Sequence, residues 1–135
     1  MTRINVVSPK ELSNAWLISE YRELPRCIKQ DISAENAPIN YVLGKGHVAW
    51  ARSHLLFLIV RYFKLCAEMR YRGFKVNNSA WRLLLLMIRK TPFKLWKFYK
   101  VTDRDIRHNQ KRLSEKYRAN RKAHRWASRN KPYWM

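Results

Sequence analysis

Two stretches carry residue types that could do chemistry: Glu20-Tyr21-Arg22-Glu23-Leu24-Pro25-Arg26, and the chain start, Met1-Thr2-Arg3-Ile4-Asn5. The first holds two carboxylates and two guanidiniums within two helical turns. On a helix Glu20 and Glu23 share a face, and so do Arg22 and Arg26. Pro25 removes a backbone donor and is expected to bend or end the helix beside Glu23. Glu23 is the candidate acid/base. Glu20 is expected to orient an arginine. For either carboxylate the ordinary alternative is a helix salt bridge.

Thr2 is the candidate nucleophile. A small residue at this position permits removal of Met1, which exposes the Thr2 α-amine. An α-amine titrates about 2.5 pH units below a lysine, so its neutral fraction at neutral pH is about a few hundred-fold larger. Only the neutral amine can attack a sugar C1′ or an aldehyde to form an imine. Many chains begin with Met and a small residue and use neither, so position alone does not decide the matter. Arg3, Arg22, Arg26, Arg112 and Lys116 are candidate phosphate clamps. Arg112 and Lys116, four apart, form a stripe on one helix, whose plain alternative is a solvated face.

The elements that must position these groups read as helices. Ser8-Pro9-Lys10-Glu11 has the form of a capping box with Pro at the first helical position. A first helix is expected from about Pro9, bent at Pro25 and continuing to about Gln30. Residues 31–46 read as a long loop closed by Gly44-Lys45-Gly46, whose glycines would let backbone approach a phosphate. A second helix is expected from His47 to Arg72, with Trp50, His54, Phe57, Leu58, Arg61, Leu65 and Met69 at helical spacing. Gly73 suits its C′ position. A third runs from about Asn78 to Lys90, with Trp81, Leu84, Leu85 and Ile88 in the core. Thr102-Asp103-Arg104-Asp105 opens a last helix, to about Lys122, with Thr as N-cap. The expected architecture is all-α, a single compact domain with three main helices: a helical domain over residues 1–122 and a basic aromatic tail over 123–135.

The 135 residues carry 29 Lys and Arg against 9 Asp and Glu, a net charge of +20. That much like charge destabilises a compact state, so a polyanionic partner is expected, nucleic acid before an anionic membrane. The 13% aromatic content favours nucleic acid, because bases stack on rings. In the tail, Trp126, Tyr133 and Trp134 could stack on bases or lie on the domain surface. Cys27 and Cys66 lack metal-ligand spacing and read as buried thiols in a reducing compartment. The histidines at 47, 54, 108 and 124 show no HxxxH or HExxH spacing. Polar residues interrupt any N-terminal signal sequence, and the apolar runs are too short for a membrane span.

These residues resemble the pyrimidine-dimer DNA glycosylase/AP lyase family typified by the T-even bacteriophage enzyme. The start Met1-Thr2-Arg3-Ile4-Asn5 and the run Glu20 to Arg26 look like that family's own. So do Leu43-Gly44-Lys45-Gly46-His47-Val48, Arg72-Gly73-Phe74, Asp105-Ile106 and Arg112-Leu113-Ser114-Glu115-Lys116. The similarity covers roughly residues 1–76 and 99–117. It implies a mainly α, single-domain enzyme with three principal helices that needs neither metal nor cofactor. It implies catalysis by Thr2 and Glu23, with Arg3, Arg22, Arg26, Arg112 and Lys116 binding DNA. The reaction implied is excision of UV-induced cyclobutane pyrimidine dimers through an imine at deoxyribose C1′, followed by β-elimination. The implied partner is UV-damaged double-stranded DNA, met by a monomer in the cytoplasm of a bacterial or phage-infected cell. Ala15 and Trp16 stand where the phage enzyme has Gln and His, and residues 78–98 are more apolar and basic. The alternatives are an AP lyase or glycosylase for another damaged base, and a non-catalytic binder of DNA or RNA.

Overall fold

The computed structural model describes residues 4–29 and 36–135. The elements described are helices: α1 (Asn14–Lys29), α2 (His47–Arg52), α3 (Leu55–Tyr71), α4 (Asn78–Lys90) and α5 (Asp103–Ala119), with short 3₁₀ turns at Pro9–Glu11, Phe93–Leu95 and Arg121–Ala123. The chain is all-α, as expected. An extended stretch, residues 4–7, runs through the middle of the packing, and Ile4 and Val7 are buried. Leu12, Leu17, Leu24, Leu58, Leu65 and Leu113 join them in one core. Each such leucine contributes about 1.5–3 kcal/mol relative to exposure.

The first helix starts later than its proline signal suggests. Ser8 and Pro9 open only a 3₁₀ turn, in which the Ser8 hydroxyl accepts from Lys10 N–H. Glu11 is drawn instead to the C-terminal tail, where its carboxylate accepts from Trp134 Nε1. The true N-cap of α1 is Ser13, whose Oγ accepts the Trp16 N–H at 3.3 Å. Pro25 lies inside α1, which runs on to Lys29. Its ring is buried, so packing offsets the missing backbone bond.

The expected second helix is broken into α2 and α3 at Ser53-His54. The Trp50 carbonyl accepts from the Ser53 hydroxyl at 2.8 Å and from His54 Nδ1 at 2.7 Å. Side chains thus take the carbonyl that the His54 N–H would need, and that N–H turns to Ala51. The far end of α3 closes as its sequence suggests. Gly73 adopts φ 81°, its N–H donates to the Arg70 carbonyl, and Phe74 N–H donates to Met69. This double closure is the Schellman motif. In α4, Leu84 is buried, but Leu85 is 48% exposed and so is not core. The Thr102 hydroxyl accepts from Asp105 N–H and the Asp105 carboxylate from Thr102 N–H, a complete capping box for α5.

Candidate active site

The geometry of the site starts from residues 4–7, held on three sides. Ile4 N–H donates to His47 Nε2 at 2.9 Å, and the Tyr41 hydroxyl donates to the Ile4 carbonyl at 2.8 Å. Because Nε2 accepts, His47 is neutral there and its Nδ1–H donates to the Val42 carbonyl at 2.6 Å. Gly46 makes this placement possible. It caps α2 at φ 91°, and a Cβ there would lie 2.9 Å from Pro38 Cγ. The Val6 and Val7 N–H groups donate to Asn109 Oδ1 on α5 at 2.8 and 3.1 Å. Asn109 Nδ2 donates in turn to Asn5 Oδ1.

The third anchor is Glu20, which is fully buried. Its Oε1 accepts from Asn5 N–H at 3.3 Å and from Asn5 Nδ2 at 2.8 Å. Arg61 of α3 grips both carboxylate oxygens, Nε to Oε2 at 2.7 Å and Nη2 to Oε1 at 3.1 Å. Its Nη1 donates to the Val7 carbonyl. Glu20 does orient an arginine, though from another helix rather than from its own. A buried bidentate pair with further donors on the carboxylate has the geometry that offsets its desolvation cost.

Glu23, one turn further along α1, faces a different setting. Its side chain keeps 23% of its exposure and pairs with Arg26, Nη1 to Oε1 at 2.9 Å. Arg26 is two-thirds exposed and Arg22 is exposed. The charged seven-residue stretch is thus divided by depth, with Glu20 inside and Glu23, Arg22 and Arg26 at the surface. Cys27, one turn beyond Glu23, is buried. Burial raises its thiol to about 11, and the Glu23 and Glu20 carboxylates push it the same way. It therefore stays protonated and is no nucleophile.

On α5, Arg112 is partly buried within electrostatic range of the Tyr41 hydroxyl. Lys116, a turn later, is exposed and near His124. Arg112 thus lies near Tyr41, which bonds the Ile4 carbonyl, and Lys116 near His124, which packs on Trp16 of α1. Thr2 and Arg3 lie outside the described residues. Among the described residues no group of three or more His, Cys, Asp or Glu side chains is placed to hold a metal ion.

A family model described as pyrimidine dimer DNA glycosylase matches residues 1–82. The chain belongs to that family. Membership implies DNA glycosylase activity and binding to UV-damaged DNA. The matched region contains the buried Glu20–Arg61 pair, Glu23, His47 and the Gly46 cap. Arg112 and Lys116 lie beyond it. No described helix is long and apolar enough to cross a membrane.

The pyrimidine dimer glycosylase scaffold is closed in this chain by its own tail. Trp126 is buried, and its Nε1 donates to the Glu11 carbonyl at 2.9 Å. The Arg129 guanidinium lies 3.7 Å from the Tyr71 ring centre and pairs with Glu68, which also holds Arg72. Burial would raise the Glu68 carboxyl, but the hydrogen bonds from Arg129 and Arg72 outweigh it and hold the group below its usual range. Of the tail aromatics only Tyr133 stands clear of the domain, 96% exposed. Trp16 packs against His124 with ring centres 4.2 Å apart, and His124 Nδ1 lies 2.8 Å from Ser13 Oγ.

His124 supplies a pH dependence. Burial lowers its pKa and nearby Lys116 lowers it further. His54 is lowered too, by burial and by Lys97, against the opposing bond to the Trp50 carbonyl. Each folded-state value is below the ordinary 6.5, so the unfolded chain binds more protons in the window beneath 6.5. Their contribution is therefore undiminished above that pH and is lost as pH falls below it. Melting temperature is expected to drop between pH 7.5 and 5.5, and to drop less in His124→Gln. A flat or rising wild-type curve contradicts this.

Arg61, Asn5, Asn109, Tyr41 and His47 hold the N-terminal stretch, yet none was a candidate from sequence. Arg61 carried a readable signal. It falls on the apolar stripe of α3, where a guanidinium requires a buried counter-charge. Asn109 carried none, because one Asn in a basic helix is unremarkable until an extended stretch is laid against it.

Proposed function

We propose that this chain excises cyclobutane pyrimidine dimers from DNA and then nicks the strand through its own N-terminal amine. The supporting observation is the seating of Asn5 on Glu20, one helical turn before Glu23. Three residues of chain, from Asn5 back to Thr2, reach at most about 11 Å, and one turn of α1 rises about 5 Å. The Thr2 amine is thus tethered within reach of the Glu23 carboxylate. The Glu23 carboxylate is itself paired with the Arg26 cation of α1.

The chemistry assigned to these groups is as follows. The neutral Thr2 nitrogen attacks C1′, and the C1′–base bond breaks with its electron pair leaving on the base. Loss of the nitrogen's proton and opening of the sugar ring leave an imine. Glu23 assists the glycosyl cleavage. Its carboxylate later takes a proton from C2′, and the C3′–O bond breaks with the 3′ oxygen leaving on its phosphate. Arg3, Arg22, Arg26, Arg112 and Lys116 bind the phosphodiester backbone around the lesion. The Glu23–Arg26 pair is a surface pair worth about 1 kcal/mol or less. A DNA phosphate can therefore draw Arg26 away and leave the carboxylate free to act.

A second reading keeps the imine but changes the lesion. The packing of Trp16 on His124 and Trp126 favours it, since that ring is engaged by the chain's own C-terminal tail. Both readings are tested by nicking of supercoiled plasmid with Met1 removed from the protein. Nicks in UV-irradiated plasmid are expected, and nicks in depurinated plasmid as well, because the same imine forms at an abasic C1′. Nicks confined to depurinated plasmid favour the second reading, and no nick in either substrate overturns both.

A further inference from the structure

Gly44 forms one wall of a cleft of about 430 Å³, and α5 forms the other. From α5 come Arg104, Arg107, His108 and Lys111, at spacings of three, one and three residues. All four are exposed, and they form one stripe about 10 Å long. None of Arg104, Arg107 and Lys111 takes part in an ion pair among the described residues. The one carboxylate of the lining, Asp105, is buried and turned inward, accepting from the Tyr99 hydroxyl and Thr102 N–H. On the loop side, a Cβ built on Gly44 would meet nothing within 4 Å, so its backbone can be approached closely. Lys45 beside it is exposed.

We infer that this cleft is a second phosphate-binding site, holding backbone phosphates of the DNA duplex outside the lesion. Arg112 and Lys116 are not among the residues that line it. Charge complementarity selects the occupant. A row of side chains about 10 Å long, carrying three cations, is long enough to meet more than one phosphate of one strand. The bare glycine backbone on the opposite wall admits a phosphate oxygen where a side chain would stand. The inference rests on the DNA-repair reading above.

The test is the salt dependence of binding to an undamaged 30-base-pair duplex, measured by fluorescence anisotropy from 50 to 300 mM NaCl. Each phosphate contact adds about 0.9 to the slope of log affinity against log salt. In R107A/K111A the slope is expected to fall by about 2, and in R107K/K111R to recover. The control is K94A/K97A, which removes the same charge from the segment after α4. An unchanged slope in R107A/K111A overturns the inference. An equal fall in K94A/K97A also overturns it, because net charge alone then accounts for the effect. Borohydride trapping of the wild-type chain on abasic duplex runs in parallel. Failure to trap counts against the imine reading and leaves the slope comparison intact.

Discussion

Glu23→Gln is expected to lower dimer excision by about 10²–10⁴-fold, the usual worth of a positioned acid/base group. DNA affinity is expected to hold or to rise slightly, because the substitution removes a negative charge from a cationic surface. Stability should change little. The Arg26 pair is lost, but it lies at the surface and contributes about 1 kcal/mol or less. Single-turnover excision on a duplex with one dimer, beside anisotropy binding and a thermal melt, separates these effects. Excision within threefold of wild type would remove Glu23 from the chemistry. A large loss of folding or of affinity would make it a structural residue instead.

Glu20→Ala is expected to act in the opposite way, through the fold. It leaves Arg61 buried without its counter-charge and removes the acceptor of both Asn5 donors. Breaking a buried pair by removing one partner costs about 3–5 kcal/mol. Replacing both partners with apolar side chains, Glu20→Leu with Arg61→Met, should cost less than the single change. Denaturant unfolding of the two single variants and the double variant measures this coupling. Purely additive losses would contradict it. Activity should fall in Glu20→Ala beyond what unfolding explains, since the N-terminal stretch loses its seat on α1.

The contrast between these two carboxylates was only partly legible in the sequence. Both stand three residues apart on one helix, and both have arginines within four positions. Spacing placed them on a common face and marked Glu23 as the acid/base and Glu20 as the orienting group. It did not show that one turn of helix separates a buried site from a surface one, because depth depends on what packs against α1. The partner of Glu20 lies 41 residues away, on α3. Local signals behaved similarly. Thr102 and Gly73 cap their helices as their types suggest, since those motifs close within a few residues. Ser8-Pro9 carried an equally plain signal and produced a 3₁₀ turn, because Glu11 is engaged by Trp134 from the far end of the chain. Ser53-His54 divides a continuous apolar pattern through bonds to a single carbonyl, which periodicity cannot register.

The most direct measurement is the site of covalent attachment when the protein acts on dimer-containing duplex in the presence of borohydride. Reduction fixes the imine as a secondary amine, and peptide mass mapping reads which nitrogen carries the sugar. The account predicts one adduct, on the Thr2 α-nitrogen, absent when that nitrogen is acetylated. Strand cleavage with the sugar on a lysine, or with no adduct at all, would contradict it.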